Sequence, residues 1–272
     1  MLPEAKSEDL LYLDGGGSVS VSSYPENKLV GTFGGGPGGI CPDRNGDVWI
    51  TNYYGGTIVE YAHGGKVPIS TLTTPGISPQ GCSIDPTSGN LAVVGYGPEN
   101  PNVRGRIFVY TGAAGKPKIF RTGFLVTSFC GYDNEGNLFI DGFGWGEQPP
   151  FAFGEIRKGG KRFKRISLRG LSYPGPVQWD GKYLAVASDD SDIMNRYDIR
   201  GNKAVQVGGS IVLGGGDYVN AAWIQGSTII ETGRGDATSQ VFFYDYPAGG
   251  QPSSTIGGLS EQSGVSVSLA PK

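Results

Sequence analysis

Histidine is almost missing from this 272-residue chain, which has only His63. Because histidine is the commonest general acid–base group, mechanisms built on two histidines are excluded. A Ser-His-Asp triad would have to use His63, which sits in the turn YAHGG and reads as structural. No GxSxG elbow, phosphate-binding loop or zinc signature occurs, and residues 214–217 (GGGD) lack the lysine of a phosphate cradle. The three cysteines have no CxxC spacing. No run of 18 apolar residues exists, which excludes a membrane-spanning helix. Charge is also sparse. Asp, Glu, Lys and Arg make up 17% of the chain and the net charge is −3, so nothing draws the whole molecule toward nucleic acid or an anionic membrane.

Glycine is what the chain has in excess: 48, with 18 prolines. That composition approaches low-complexity disorder, but regularly spaced β-forming runs argue otherwise. Residues 38–72 (GGICPDRNGDVWITNYYGGTIVEYAHGGKVPISTL) read as four short strands with tight turns. The turn glycine recurs at Gly46, Gly89, Gly136, Gly181 and Gly226, at intervals of 43, 47, 45 and 45 residues. A second marker runs in phase: Tyr24, Tyr61, Tyr110, Tyr197 and Tyr246 close the third strand, with Ile156 in that place in the third repeat. A sixth repeat is split between the chain ends, with GVSVSL (264–269) as its first strand and residues 10–33 as the other three. About 45 residues per repeat fits propeller blades, and closing the ring protects sheet edges. The expected fold is all-β: a six-bladed β-propeller (10–272) of four-stranded blades, closed by the C-terminal strand joining the N-terminal blade. Residues 1–9 form a polar, loose lead-in.

Aligned on the aspartates Asp43, Asp85 and Asp133, Cys41 stands two residues before its aspartate, and Cys82 and Cys130 stand three before theirs. Side chains alternate along a strand, so Cys41 and Cys82 can face each other between neighbouring blades. A disulfide there competes with three buried small hydrophobes.

Loops between second and third strands share a face with the starts of the first strands, and the long ones, in blades two and three, are where function is expected. That face gathers Tyr53, Tyr54, Tyr96, Phe143, Trp145 and Phe151 beside Glu99, Glu147, Asp189 and Asp190. Such a set suits a glycan or peptide groove, or the small core of a glycine-rich loop. We take Tyr53, Tyr54, Tyr96, Trp145, Glu147, Asp189 and Asp190 as candidate ligand-binding residues. Strand-end oxygens at Asn52, Asp141 and Asp189 could converge on a hard cation such as Ca²⁺, though Asp and Asn also end strands because they favour turns. Seven basic residues between Arg157 and Arg169 read as a charged outer strand or a surface for an anionic polymer.

The segments PGGICPDRNGDVWITNYYGGTIVEYAHGG, PQGCSIDPTSGNLAVVG and SFCGYDNEGNLFIDG resemble the NHL repeat. PGPVQWDGKYLAVAS and VNAAWIQGSTIIETG are degenerate copies, lacking the aspartate that ends the first strand. The resemblance implies a propeller like those of secreted bacterial NHL-like proteins, binding proteins, RNA or glycans. The same superfamily shape includes gluconolactonase-type lactonases with a channel cation, for which Asn52, Asp141 and Asp189 are positional candidates. Related lyases and arylesterases depend on histidines this chain lacks.

The expected function is a non-catalytic binding module for a glycan, protein or small-molecule ligand, with no cofactor, no nucleic-acid partner and a monomeric state. The alternative is a divalent-metal-dependent hydrolase of lactones or esters. Low charge with abundant Ser, Thr, Gly and Tyr leans toward a secreted or periplasmic protein whose leader lies outside this sequence, with a cytoplasmic protein as the alternative.

Overall fold

The computed structural model describes residues 1, 3–36, 38–97, 104–146, 150–235, 238–259 and 262–272. Six four-stranded antiparallel sheets form a ring. Blade one comprises Ile40–Pro42, Val48–Asn52, Thr57–Tyr61 and Pro68–Thr73. In blade six, Gln262–Ser268 pairs with Leu10–Gly15, which continues into Ser18–Ser23 and Leu29–Gly34, so the C-terminal strand closes the ring. Blade four has an interrupted outer edge, with Lys203–Gln206 and Ile211–Val212 both pairing with Ile193–Arg200.

The core is a set of wedges between blades. Trp49 and Ile58 of blade one pack with Leu91, Val93 and Phe108 of blade two; Val265 and Val267 of blade six pack with Ile230 and Phe243 of blade five. The recurring tyrosines belong to these wedges and carry a polar handle. The Tyr110 hydroxyl donates to the Thr73 carbonyl of the preceding blade (2.6 Å), and the Tyr246 hydroxyl to Asp180 Oδ2 (2.5 Å). Tyr24 and Tyr246 lie one residue beyond their strands, each before a cis proline, and buried Tyr244 fills the wedge in blade five.

First-strand glycines let neighbouring blades approach at the axis. A Cβ on Gly39 would lie 2.8 Å from the Gln80 carbonyl, one on Gly81 2.7 Å from that of Ser128, and one on Gly264 would overlap the Gly38 carbonyl. The repeat aspartates terminate the first hairpin: Asp43, Asp85 and Asp133 accept backbone N–H bonds from Asn45, Thr87 and Glu135. Blade four keeps this device. Asp180 accepts from the Lys182 and Tyr183 amides at 2.8 and 2.6 Å, across a shorter turn that hides it from a residue-by-residue alignment.

Cys41 and Cys82 form a disulfide between blades one and two, with Cα atoms 5.8 Å apart, and Cys130 is a buried free thiol. The lead-in packs against the ring. Ala5 is wholly buried, and its carbonyl lies where a Cβ on Gly64 would have to go. His63 is structural: its ring bridges Ser268 Oγ (2.6 Å) and the Glu8 carbonyl (2.9 Å), tying blade one to both chain ends. No helix among the described residues is long and apolar enough to cross a membrane.

Candidate functional site

Each of the six seams between blades presents a polar side chain to the neighbouring blade, and at five of them it is hydrogen-bonded. Thr51 Oγ1 donates to the Gln80 carbonyl (3.0 Å), Thr127 Oγ1 to that of Gly95 (2.7 Å), and Thr232 Oγ1 to that of Gln262 (3.3 Å). Gln178 exchanges two bonds with the Ile224 backbone (2.8 and 2.7 Å). At the remaining two seams the residue is an acid. Asp141 accepts from the amides of Phe129 (2.9 Å) and Gly175 (2.8 Å), and Asp14 sits beside the Gly38 amide.

Inside this ring of side chains, the starts of the first strands and the second-to-third-strand loops enclose a cavity of about 1030 Å³, lined from all six blades. Its wall has two aromatic groups. On the blade one–two side, Tyr53 and Tyr96 share a short hydroxyl–hydroxyl contact, with ring centroids 6.0 Å apart, and Tyr54 stands edge-on to Tyr53 at 5.2 Å. Burial and the Tyr96 hydroxyl push the Tyr53 phenol up to about 12. On the blade three–four side, Phe143 and Tyr173 meet edge to face at 4.7 Å. Between them lie the amides of Asn52, Gln80, Asn220 and Gln262. Asp189 is the one carboxylate among the described lining residues, which include no lysine, arginine or histidine. Burial, and then the neighbouring Asp190 charge, raise its pKa to about 6.

The structure thus brings Asn52, Tyr53, Tyr54, Tyr96 and Asp189 to one cavity. Asp190 lies outside the lining, where it accepts from Ser188 Oγ (2.7 Å) and Ser172 Oγ (3.1 Å) and fastens the loop that presents Tyr173. Trp145 also lies outside it: its ring is 47% exposed and covered by the Arg104 guanidinium at 4.7 Å. Glu147 and Glu99 lie outside the described residues. Asp141 is fully buried beneath the mouth, its pKa raised well above the usual range by burial, and both its oxygens are engaged by backbone amides. Of the three cation candidates, only Asn52 and Asp189 therefore face the cavity, and Asn52 Oδ1 already accepts from the Gly55 amide (2.9 Å).

Phe129, Tyr173, Gln80, Asn220 and Gln262 were not expected from the sequence. A signal was present, because Gly38, Gln80, Ser128, Asn220 and Gln262 all stand where a first strand begins.

No protein-family model matches the chain, and no curated protein matches it. Among solved structures, a chain of the nidogen/laminin complex superposes with a TM-score of 0.74 at 16% identity, covering 97% of this chain and 100% of that one. A protein of unknown function from Bacteroides caccae superposes with a TM-score of 0.69 at 15% identity, covering 96% and 99%. Similarity at this level establishes the six-bladed propeller and nothing finer.

Proposed function

We propose that the chain is a non-catalytic, NHL-like binding module that takes a glycan into the cavity at the channel mouth. The observation that carries this reading is the lining itself. Tyrosine faces offer apolar platforms for sugar rings, while Asn52, Gln80, Asn220, Gln262 and Asp189 offer both donors and acceptors for hydroxyls. Binding of this kind needs no cofactor. The interblade disulfide supports an oxidising, extracytoplasmic setting, where glycans are abundant, and we take the monomer as the working unit.

A protein ligand is the second reading, favoured by the similarity to a chain from the nidogen/laminin complex. A metal-assisted hydrolase of lactones or esters draws less support. Its cation would need converging oxygens and an open position, whereas Asp141 is committed to the seam between blades three and four.

Probing a glycan array with the protein and with Tyr96→Ala tests the glycan reading. The expected result is a restricted set of glycans bound by the parent and lost, by about tenfold or more, in the variant, since a stacked aromatic ring contributes on the order of 1–3 kcal/mol. An array with no bound glycan, or one unchanged in Tyr96→Ala, would overturn it.

A further inference from the structure

Positive charge is concentrated on one part of the rim. Lys116, Lys118 and Arg121 lie on or just before the outer strand of blade two, Lys118–Arg121, and six more basic residues lie between Arg157 and Arg165 on the outer hairpin of blade three. All nine are exposed, and they are nine of the chain's 22 lysines and arginines. The two groups form one surface. Lys118 Nζ donates to the Gly160 carbonyl (3.4 Å), the Phe124 and Phe163 rings meet at 5.1 Å, and the Arg165 guanidinium lies over Phe124 at 5.1 Å. Residues 111–132 and 156–179 contain no Asp or Glu. Glu155, beside the hairpin, is buried and paired with Arg157 at 2.7 Å.

Charge on an outer strand can serve only to prevent edge-to-edge pairing, but this molecule does not rely on that device. The outer strands of blades one (Pro68–Thr73), five (Ser254–Leu259) and six (Leu29–Gly34) carry no charged side chain, and Lys203–Gln206 of blade four carries one lysine. Edge protection therefore does not account for nine basic residues on two adjacent edges of a molecule whose net charge is −3.

We propose that the outer edges of blades two and three form a docking surface for a linear anionic polysaccharide, separate from the mouth cavity. The patch is extended and exposed, which suits a chain carrying repeated sulfates or carboxylates more than a single small anion. The Cys41–Cys82 disulfide favours oxidising compartments, where polyanions are chiefly polysaccharides. Electrostatic capture at the rim would concentrate the protein on such a matrix and leave the mouth free.

Immobilised heparin, a sulfated polysaccharide, serves as the probe, with K161E/R162E/K164E as the patch variant and K6E/K66E/K272E, all exposed and outside the patch, as a control of equal net charge. Thermal melts of both verify folding. The expected result is salt-sensitive binding by the parent and by the control, and binding at least about 100-fold weaker in the patch variant, since each basic side chain at an anionic surface contributes roughly fivefold. Absent binding by the parent, or equal losses in both variants, would overturn the proposal. Displacement of the parent by duplex DNA at lower charge concentration than by free heparin would also overturn it, by assigning the patch to nucleic acid.

Discussion

Asp14, Asp141 and Glu231 are wholly buried, yet none lines the mouth cavity. Asp141 has two backbone amides to itself. Asp14 and Glu231 are less well served. Neither Asp14 oxygen makes a well-formed hydrogen bond, the Gly38 amide lying close enough only to offset part of the burial; Glu231 stands likewise beside the Tyr244 hydroxyl. Burial raises both carboxyls to about 8, so each keeps its proton in the folded chain far above the pH at which it is lost on unfolding. Between about pH 4 and pH 8 the unfolded chain releases protons that the folded chain retains, so these two groups make stability fall as pH rises, with no further loss above about pH 8. Asp14→Asn and Glu231→Gln remove the titration. Each should raise the melting temperature at pH 8 by roughly 2 °C or more and by less at pH 5; equal shifts at both pH values would count against buried, protonated carboxyls. The sequence shows these residues as acids at strand ends, where turn-forming and metal-binding roles look the same. The neighbours these oxygens meet lie on other strands, as far away as Gly175 of the next blade, 34 residues beyond Asp141, and no local pattern encodes them.

At the scale of strands and turns, the sequence is far more readable. Turn glycines and third-strand tyrosines mark the period because each answers a local demand: glycine at a positive-φ turn or a close axial approach, tyrosine in a wedge, with the Tyr110 and Tyr246 hydroxyls bonded to the preceding blade. Strand alternation allows Cys41 and Cys82 to face each other, but the sequence left a disulfide and buried thiols both open, and the structure decides for the bond. Asp180 was missed because a shortened turn breaks the spacing while leaving the hydrogen bonds intact. The lead-in was misread as loose because polar residues conceal one buried alanine and two carbonyl contacts, to Gly64 and His63. The disulfide closes a loop with a sequence separation of 41, which in the chain-entropy account stabilises the fold by about 4 kcal/mol. Cys41→Ser/Cys82→Ser should lose about that amount in denaturant titration, and reducing agent should lower the midpoint of the parent but not of the variant. A parent insensitive to reductant would show that the bond contributes little.

For the whole molecule, the ring puts two chemically different surfaces in different places. The mouth is aromatic and amide-rich, with a single carboxylate among its described lining residues; the rim of blades two and three is cationic. Five hydrogen-bonded seams and a C-terminal strand that completes the N-terminal blade hold the mouth residues in position even though they come from every repeat. The sequence located part of this mouth, through Asn52, Tyr53, Tyr54, Tyr96, Phe143 and Asp189. The rest, Tyr173 in the connection from blade three to blade four and the first-strand residues Gln80, Asn220 and Gln262, lies outside the long loops where a site was expected. Amide hydrogen exchange, with and without the glycan that binds most tightly on the array, tests the central claim most directly. Ligand-dependent protection is predicted in peptides spanning Asn52 to Tyr54, Tyr96, Tyr173 and Asp189. Protection confined to residues 116–121 and 157–165, or none at the mouth under saturating glycan, would contradict a binding site at the channel.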